Sequence, residues 1–277
     1  MKNLFGLILL LCFPALNFAQ TLFFKESQII SDKIPMTEDS RKGIYSMIKN
    51  GNIIRLGDLK GGRWFPINEN EIVIVQNEVE RMTGDIKCRI YLFLISTGNY
   101  TLLLSTENLI EEISASSEYV YFTYKNKDDN WYQNLFKLNI RDRSAEKLFL
   151  PKSFFLYGLN ISKDDKRYSF YIYSLRNNSR MISYWDYYIM DIENRELIKI
   201  DSTTVREPGV FGGSFESSSY WQDENNLLYY KWDGSSAHGT IYKYNIKEKL
   251  RTKYFVIPFE SVGGFAYHDG TLYFQEN

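Results

Sequence analysis

This sequence predicts an all-β chain folded as a β-propeller, on three observations. An aromatic-led strand pattern returns at Tyr45-Met47, Tyr91-Phe93-Ile95, Phe136-Leu138-Ile140, Tyr188-Met190-Ile192 and Tyr242-Tyr244-Ile246. The copies recur roughly every 50 residues, the period of a propeller or a related array. Short polar turns bracket each copy, as consecutive hairpins require. Alternating apolar residues then place one face of every such strand in a core.

Residues 1–19 stand apart from this pattern. Lys2 gives a positive start, the stretch from Leu4 to Leu16 is nearly all apolar, and Ala19-Gln20 has the form of a cleavage point. This is the signature of a secretory signal peptide, too short to span a bilayer. Leu11 before Cys12 departs from the small residue a lipoprotein signal carries, so a soluble exported protein is expected, periplasmic or extracellular. Residues 20–42 are read as an N-terminal segment leading into the propeller, and 43–277 as one propeller domain.

The third copy shows the unit most fully. Leu156–Ile161 is its first strand, Ser162-Lys163-Asp164-Asp165-Lys166 the turn, and Arg167–Tyr173 the second strand. A loop leads to Asp186–Ile192, the turn Glu193-Asn194-Arg195 and a last strand over 196–200. Glu69-Asn70, Ser116-Ser117-Glu118, Asp223-Glu224-Asn225 and His268-Asp269-Gly270 occupy the first-turn position in the other copies. Asn50-Gly51, Ser96-Thr97-Gly98, Arg141-Asp142-Arg143 and Lys247-Glu248-Lys249 occupy the second.

These punctuation residues resemble the TolB-type β-propeller repeat. In that family a Ser-x-Asp-Gly-Lys turn precedes an apolar strand, and an aromatic-led strand ends in Asp and an apolar residue. Here Ser162–Lys166, Tyr168–Tyr173 and Tyr187–Ile192 correspond, with Asp165 where the family favours Gly. The resemblance runs over residues 44–275 and implies a fold, not an activity.

The first copy starts at its third strand, Gly43–Ile48, followed by Asn52–Leu56. The last ends after two strands, Val262–Tyr267 and Thr271–Gln275. Joined, the two halves make one blade, giving five blades closed by N- and C-terminal strands and leaving no open array edge. A sixth blade requires strands from residues 21–40, for which Leu22-Phe23-Phe24 and Ile29-Ile30 offer a fragment.

Composition narrows the function classes. The formal net charge is −1, with 33 Lys and Arg scattered among 34 Asp and Glu. No basic stripe points to nucleic acid or an anionic membrane surface. After removal of the signal, Cys88 stands alone, so no intrachain disulfide is expected, and the thiol reads as a small buried apolar residue. Aromatic residues make up 17% of the chain and supply bulk for a core that stands without cross-links. A monomer is expected.

In a propeller, the loops between blades and those between second and third strands open on one face. That face collects Arg63, Trp64, Trp131, Tyr132, Trp185, Trp232 and His238, the candidate ligand-binding residues. Tryptophan joins a large apolar face to a donor N–H, which suits stacking on sugars or anchoring a protein. The same rings also suit packing between blades. Glu111, Glu112 and Glu216 fall on innermost strands, where a glycosidase would need paired carboxyl groups. Arg63-Trp64-Phe65 stands where five-bladed glycosidases resemble one another in carrying an acidic residue. No metal-ligand spacing, nucleophile elbow or phosphate loop is found, so no cofactor and no metal is expected.

The expectation is therefore an exported, non-catalytic binding protein, its partner a protein of the cell envelope ahead of a glycan. The alternative is a carbohydrate-binding or glycoside-hydrolysing five-bladed propeller.

Overall fold

The computed structural model describes residues 21–25, 28–31, 36–39, 44–49, 52–58, 63–68, 70–79, 85–125, 133–150, 156–175, 183–206, 214–232, 238–257, 262–268 and 271–276. Every regular element among them is a β-strand. After β1 (Thr21–Lys25), the strands β2 (Gln28–Ser31), β3 (Met36–Asp39), β4 (Ile44–Lys49) and β5 (Asn52–Asp58) pair in order as one antiparallel sheet. The second sheet is β6 (Arg63–Pro66), β7 (Glu71–Val79), β8 (Ile86–Leu94) and β9 (Asn99–Thr106). The third holds β10 (Ile110–Ala115), β11 (Tyr119–Lys125), β12 (Gln133–Asn139) and β13 (Ala145–Leu148). The fourth holds β14 (Leu156–Ile161), β15 (Arg167–Leu175), β16 (Ser183–Asp191) and β17 (Leu197–Arg206). The fifth holds β18 (Ser214–Trp221), β19 (Asn226–Trp232), β20 (Thr240–Asn245) and β21 (Leu250–Val256). The last contains β22 (Val262–His268) and β23 (Thr271–Glu276), with β1 added to β23 in parallel.

Four-stranded antiparallel meanders in succession are the architecture of propeller blades. Among the described residues the strands form six sheets, where five blades were expected. One expectation is corrected: the strands around Gly43–Leu56 do not complete the sheet of Val262–Gln275. The unpaired side of β4 is taken by β3 and the unpaired side of β23 by β1. Thr21–Lys25, Gln28–Ser31 and Met36–Asp39 are thus strands where the sequence suggests a leading segment. Two of the three are only four residues long, too short for alternation to stand out.

The first strands of successive sheets lie side by side. Contacts run from β2 to β6, β6 to β10, β10 to β14, β14 to β18 and β18 to β22, and β22 also meets β2. The core is correspondingly layered between sheets. Val73, Ile90, Ile113 and Phe122 fill the layer between the second and third. Tyr121, Leu156, Phe170 and Met190 fill the next. Tyr187, Phe215, Trp221 and Tyr229 follow, and then Tyr220, Ile241, Phe265 and Leu272. Each layer takes side chains from both neighbours, so burial of large aromatic area ties one sheet to the next.

Tyrosine hydroxyls add polar ties across the same boundaries. Tyr121 donates to Asp165 Oδ1 at 3.2 Å, Tyr168 to the Phe149 carbonyl and Tyr220 to the Phe265 carbonyl. Asp165, standing where the related repeats favour Gly, has φ 57°, the left-handed region that Gly enters without steric cost. Arg143, Arg195 and Lys249 take the same conformation at the equivalent second turns of three sheets, and Gly98 does so in a fourth. Cys88 is fully buried, as its sequence setting suggests.

Candidate functional site at a bulged first strand

The strand β10 breaks alternation at one point. Ile110 and Ile113 are both buried, with Glu111 and Glu112 half-buried between them. Ile110 pairs with Tyr124 and Ile113 with Phe122, so Glu111 and Glu112 together oppose Thr123 in a β-bulge. The extra residue re-aims two consecutive side chains that would otherwise leave opposite faces of the sheet. The Glu112 carboxyl is directed at β14 and the Glu111 carboxyl at Gln133 of β12, which is itself anchored on β14.

Glu111 is reached through a buried glutamine. Gln133 Nε2 donates to Glu111 Oε2, while Gln133 Oε1 accepts the Leu156 N–H at 2.6 Å. Glu112 Oε2 accepts the Gly158 N–H at 3.0 Å. Gly158 has φ 65° and lies within a register shift between Tyr157 and Asn160, so a second bulge in β14 presents this N–H to the first. Thr123 Oγ1 accepts the Glu112 backbone N–H at 3.1 Å.

The other flank is fixed from β6 and β7. Arg63 donates from Nη1 to the Glu111 carbonyl and from Nη2 to the Ile110 carbonyl at 2.8 Å. Asn77 Nδ2 shares the Ile110 carbonyl at 2.9 Å. The guanidinium therefore holds the backbone of the bulge. Desolvation lowers the Arg63 pKa, against the opposing charges of Glu112 and Glu111.

Desolvation pushes the Glu112 carboxyl up to about 7. The N–H groups of Leu159 and Gly158 and the charge of Arg63 resist that shift, and Glu111 adds to it. A carboxyl in this range holds a proton near neutrality and can give it up, which is the condition for acid–base chemistry.

A second polar cluster lies between the fourth and fifth sheets. Asp201 Oδ1 meets Lys231 Nζ at 3.0 Å and Arg251 Nη1 at 2.7 Å, and accepts the Ser202 N–H at 2.7 Å. Its Oδ2 accepts the Tyr229 hydroxyl at 2.9 Å. Desolvation, followed by the Asp201 charge, raises the Tyr229 pKa and keeps that hydroxyl a donor. Lys231 also donates to the Ser202 carbonyl at 3.0 Å. Buried charge is compensated here on every side, the pattern of a structural bracket.

The candidate binding residues fall in different settings. Arg63 opens β6 and takes part in the bulged site, and Trp64 follows it, opposite Ile74. Trp185 on β16 is half-buried among tyrosines of its own sheet, edge-on to Tyr157 and Tyr171 at 5.3 Å and to Tyr173 at 5.1 Å. Trp232 ends β19 and packs on the layer containing Tyr230 and Ile241. His238 is exposed, one residue before Gly239. Trp131 and Tyr132 lie outside the described residues, as do residues 1–20 with the expected signal peptide. Glu216 is on β18, away from the β10 pair in strand order.

Sequence reading missed Gln133, Asn77 and Gly158, which organise the site. One signal was available: Ile110-Glu111-Glu112-Ile113 carries apolar residues at a spacing of three inside a strand. Among the described residues, no three His, Cys, Asp or Glu side chains are grouped to hold a metal ion. No helix among them is long and apolar enough to cross a membrane.

No protein-family model and no curated protein matches the chain. Solved structures do. An oligogalacturonate lyase in complex with manganese aligns with TM-score 0.58 at 11% identity, covering 91% of this chain and 69% of that one. TolB from Acinetobacter baumannii aligns with TM-score 0.52 at 13% identity, covering 93% and 57%. An acylaminoacyl peptidase from Pyrococcus horikoshii aligns with TM-score 0.52 at 11% identity, covering 74% and 41%. The likeness is one of fold.

It bears out the resemblance to TolB-type propellers at that level. It also corrects the expectation of a non-catalytic protein, since a lyase and a peptidase share the fold along with TolB. The chain spans little more than half of TolB and less than half of the peptidase. A fold this widely shared assigns no activity by itself.

Proposed function

We propose that the protein is a glycoside-hydrolysing propeller of six blades, closed where β1 joins β23, with its reacting groups at the β10 bulge. One observation carries this reading: the bulge turns Glu111 and Glu112 to the same side of a first strand. Glycoside hydrolysis needs two carboxyl groups with distinct roles, and adjacent residues of a regular strand cannot provide them on one side. The likeness to an oligogalacturonate lyase supports a carbohydrate substrate on this scaffold. Arg63, Trp64, Trp185, Trp232 and His238 fall at the same end of the strands in chain order, and the tryptophans among them suit stacking against sugar rings. Export, from the signal-like residues 1–19, places the enzyme where extracellular or envelope glycans are met.

The test is incubation of the folded protein with neutral and uronic-acid oligosaccharides, scoring new reducing ends and ultraviolet-absorbing unsaturated ends separately. Hydrolysis yields the first without the second, and Glu111→Gln abolishes it. Unsaturated products would replace hydrolysis by elimination. Absence of both turnover and binding across the panel would refute a glycan substrate.

A further inference from the structure

The two carboxyl groups of the bulge are not equivalent. Glu111 receives its hydrogen bond from a side-chain amide, Gln133 Nε2, which is itself anchored on Leu156. Glu112 receives its hydrogen bonds from main-chain N–H groups, those of the left-handed Gly158 and of Leu159. A backbone N–H can only donate, so it fixes one oxygen of Glu112 as an acceptor. Among the described residues, the charged groups facing Glu112 are Arg63 from β6 and Glu111 from its own strand, of opposite sign. Desolvation therefore decides the balance, and it holds the proton on Glu112 up to about pH 7.

Resting on the glycosidase reading, we infer that Glu112 is the proton donor to the leaving glycosidic oxygen and that Glu111, oriented by Gln133, takes the proton of the attacking water. Glu112 transfers its proton to that oxygen as the bond from oxygen to the anomeric carbon breaks. A water molecule adds to the anomeric carbon and gives a proton to Glu111. The products are the freed alcohol and the sugar hemiacetal, and solvent exchange restores both carboxyl groups. No oxidant, metal or co-substrate enters the balance.

A donor role is separated from a structural one by the leaving group. Glu112→Gln keeps an acceptor for the Gly158 N–H and removes the proton. It should lower kcat on unactivated oligosaccharides by about 10²–10⁴-fold. On a glycosyl fluoride, whose departure needs no protonation, it should lose less than about 10-fold against the loss expected of a missing acid. The wild-type alkaline limb near pH 7 should vanish with the substitution. Glu112→Asp, which retains an acid on a shorter arm, should restore part of the rate with a shifted limb. Equal losses on both substrates, or an unchanged limb, would overturn the assignment of Glu112 and leave the glycosidase reading standing. No cleavage of any glycoside by the wild type would overturn both.

Discussion

The β10 bulge and the Asp201 bracket are both polar clusters at a boundary between sheets, yet they are built on opposite rules. Asp201 meets two cations, a tyrosine hydroxyl and a backbone N–H, and its own burial is nearly complete. At the bulge, Gln133 donates to Glu111, and the main-chain N–H groups of Gly158 and Leu159 donate to Glu112. The nearby Arg63 donates to carbonyls of the same segment. Full compensation makes a buried charge a fixed structural part. A desolvated carboxyl held by neutral donors keeps a proton that it can exchange, which is a property of reacting groups rather than of fasteners.

This contrast can be broken most forcefully at the bracket. Asp201→Ala leaves Lys231 buried without its carboxylate, and should cost about 3–5 kcal/mol in chemical denaturation. A loss below about 1 kcal/mol would mean that the bracket is not structural. The bulge should respond in the reverse sense. The folded-state pKa of Glu112 lies above its unfolded value, so the two states bind protons equally in acid. As pH rises through the unfolded value towards about 7, the unfolded chain ionises first and stability falls. Glu112→Gln should abolish that fall and raise stability above pH 7 by about 1–3 kcal/mol, read as the difference between two pH-dependent unfolding curves. Parallel curves would contradict it.

Smaller effects calibrate the frame that holds both clusters. A methyl group on Gly239 would run into the ring of Tyr230, so Gly239→Ala should cost about 1–3 kcal/mol by thermal or urea unfolding. Arg195 occupies a left-handed turn position with φ 54°. Arg195→Gly should relieve that strain and stabilise the protein by at most about 1 kcal/mol, with no change at either cluster. A melting temperature that falls instead would show that the arginine makes a contact outweighing its backbone strain.

How much of this was legible in the sequence differs by element. The hairpin turns were readable because residues such as Asp164-Asp165 and Asn194-Arg195 interrupt long alternating runs, and the strands of the fourth sheet lie where that alternation puts them. The sheet count was not readable, because β2 and β3 have four residues each and β1 pairs with a strand from the other end of the chain. Glu111 and Glu112 were visible as innermost-strand carboxylates. Their convergence depends on a register shift, and their supports Gln133 and Gly158 are 22 and 46 positions along the chain from Glu111 and Glu112, on strands brought alongside by folding. The Asp201 bracket was invisible for the same reason, being assembled from β17, β19 and β21.

The most direct measurement is a carboxyl ¹³C NMR titration of the folded protein labelled in glutamate, run beside Glu112→Gln. One glutamate should titrate near pH 7 in the wild type and be missing from the variant. If every glutamate instead titrates close to its ordinary value of about 4.3, the bulge holds no exchangeable proton at neutrality and Glu112 is an ordinary structural carboxylate.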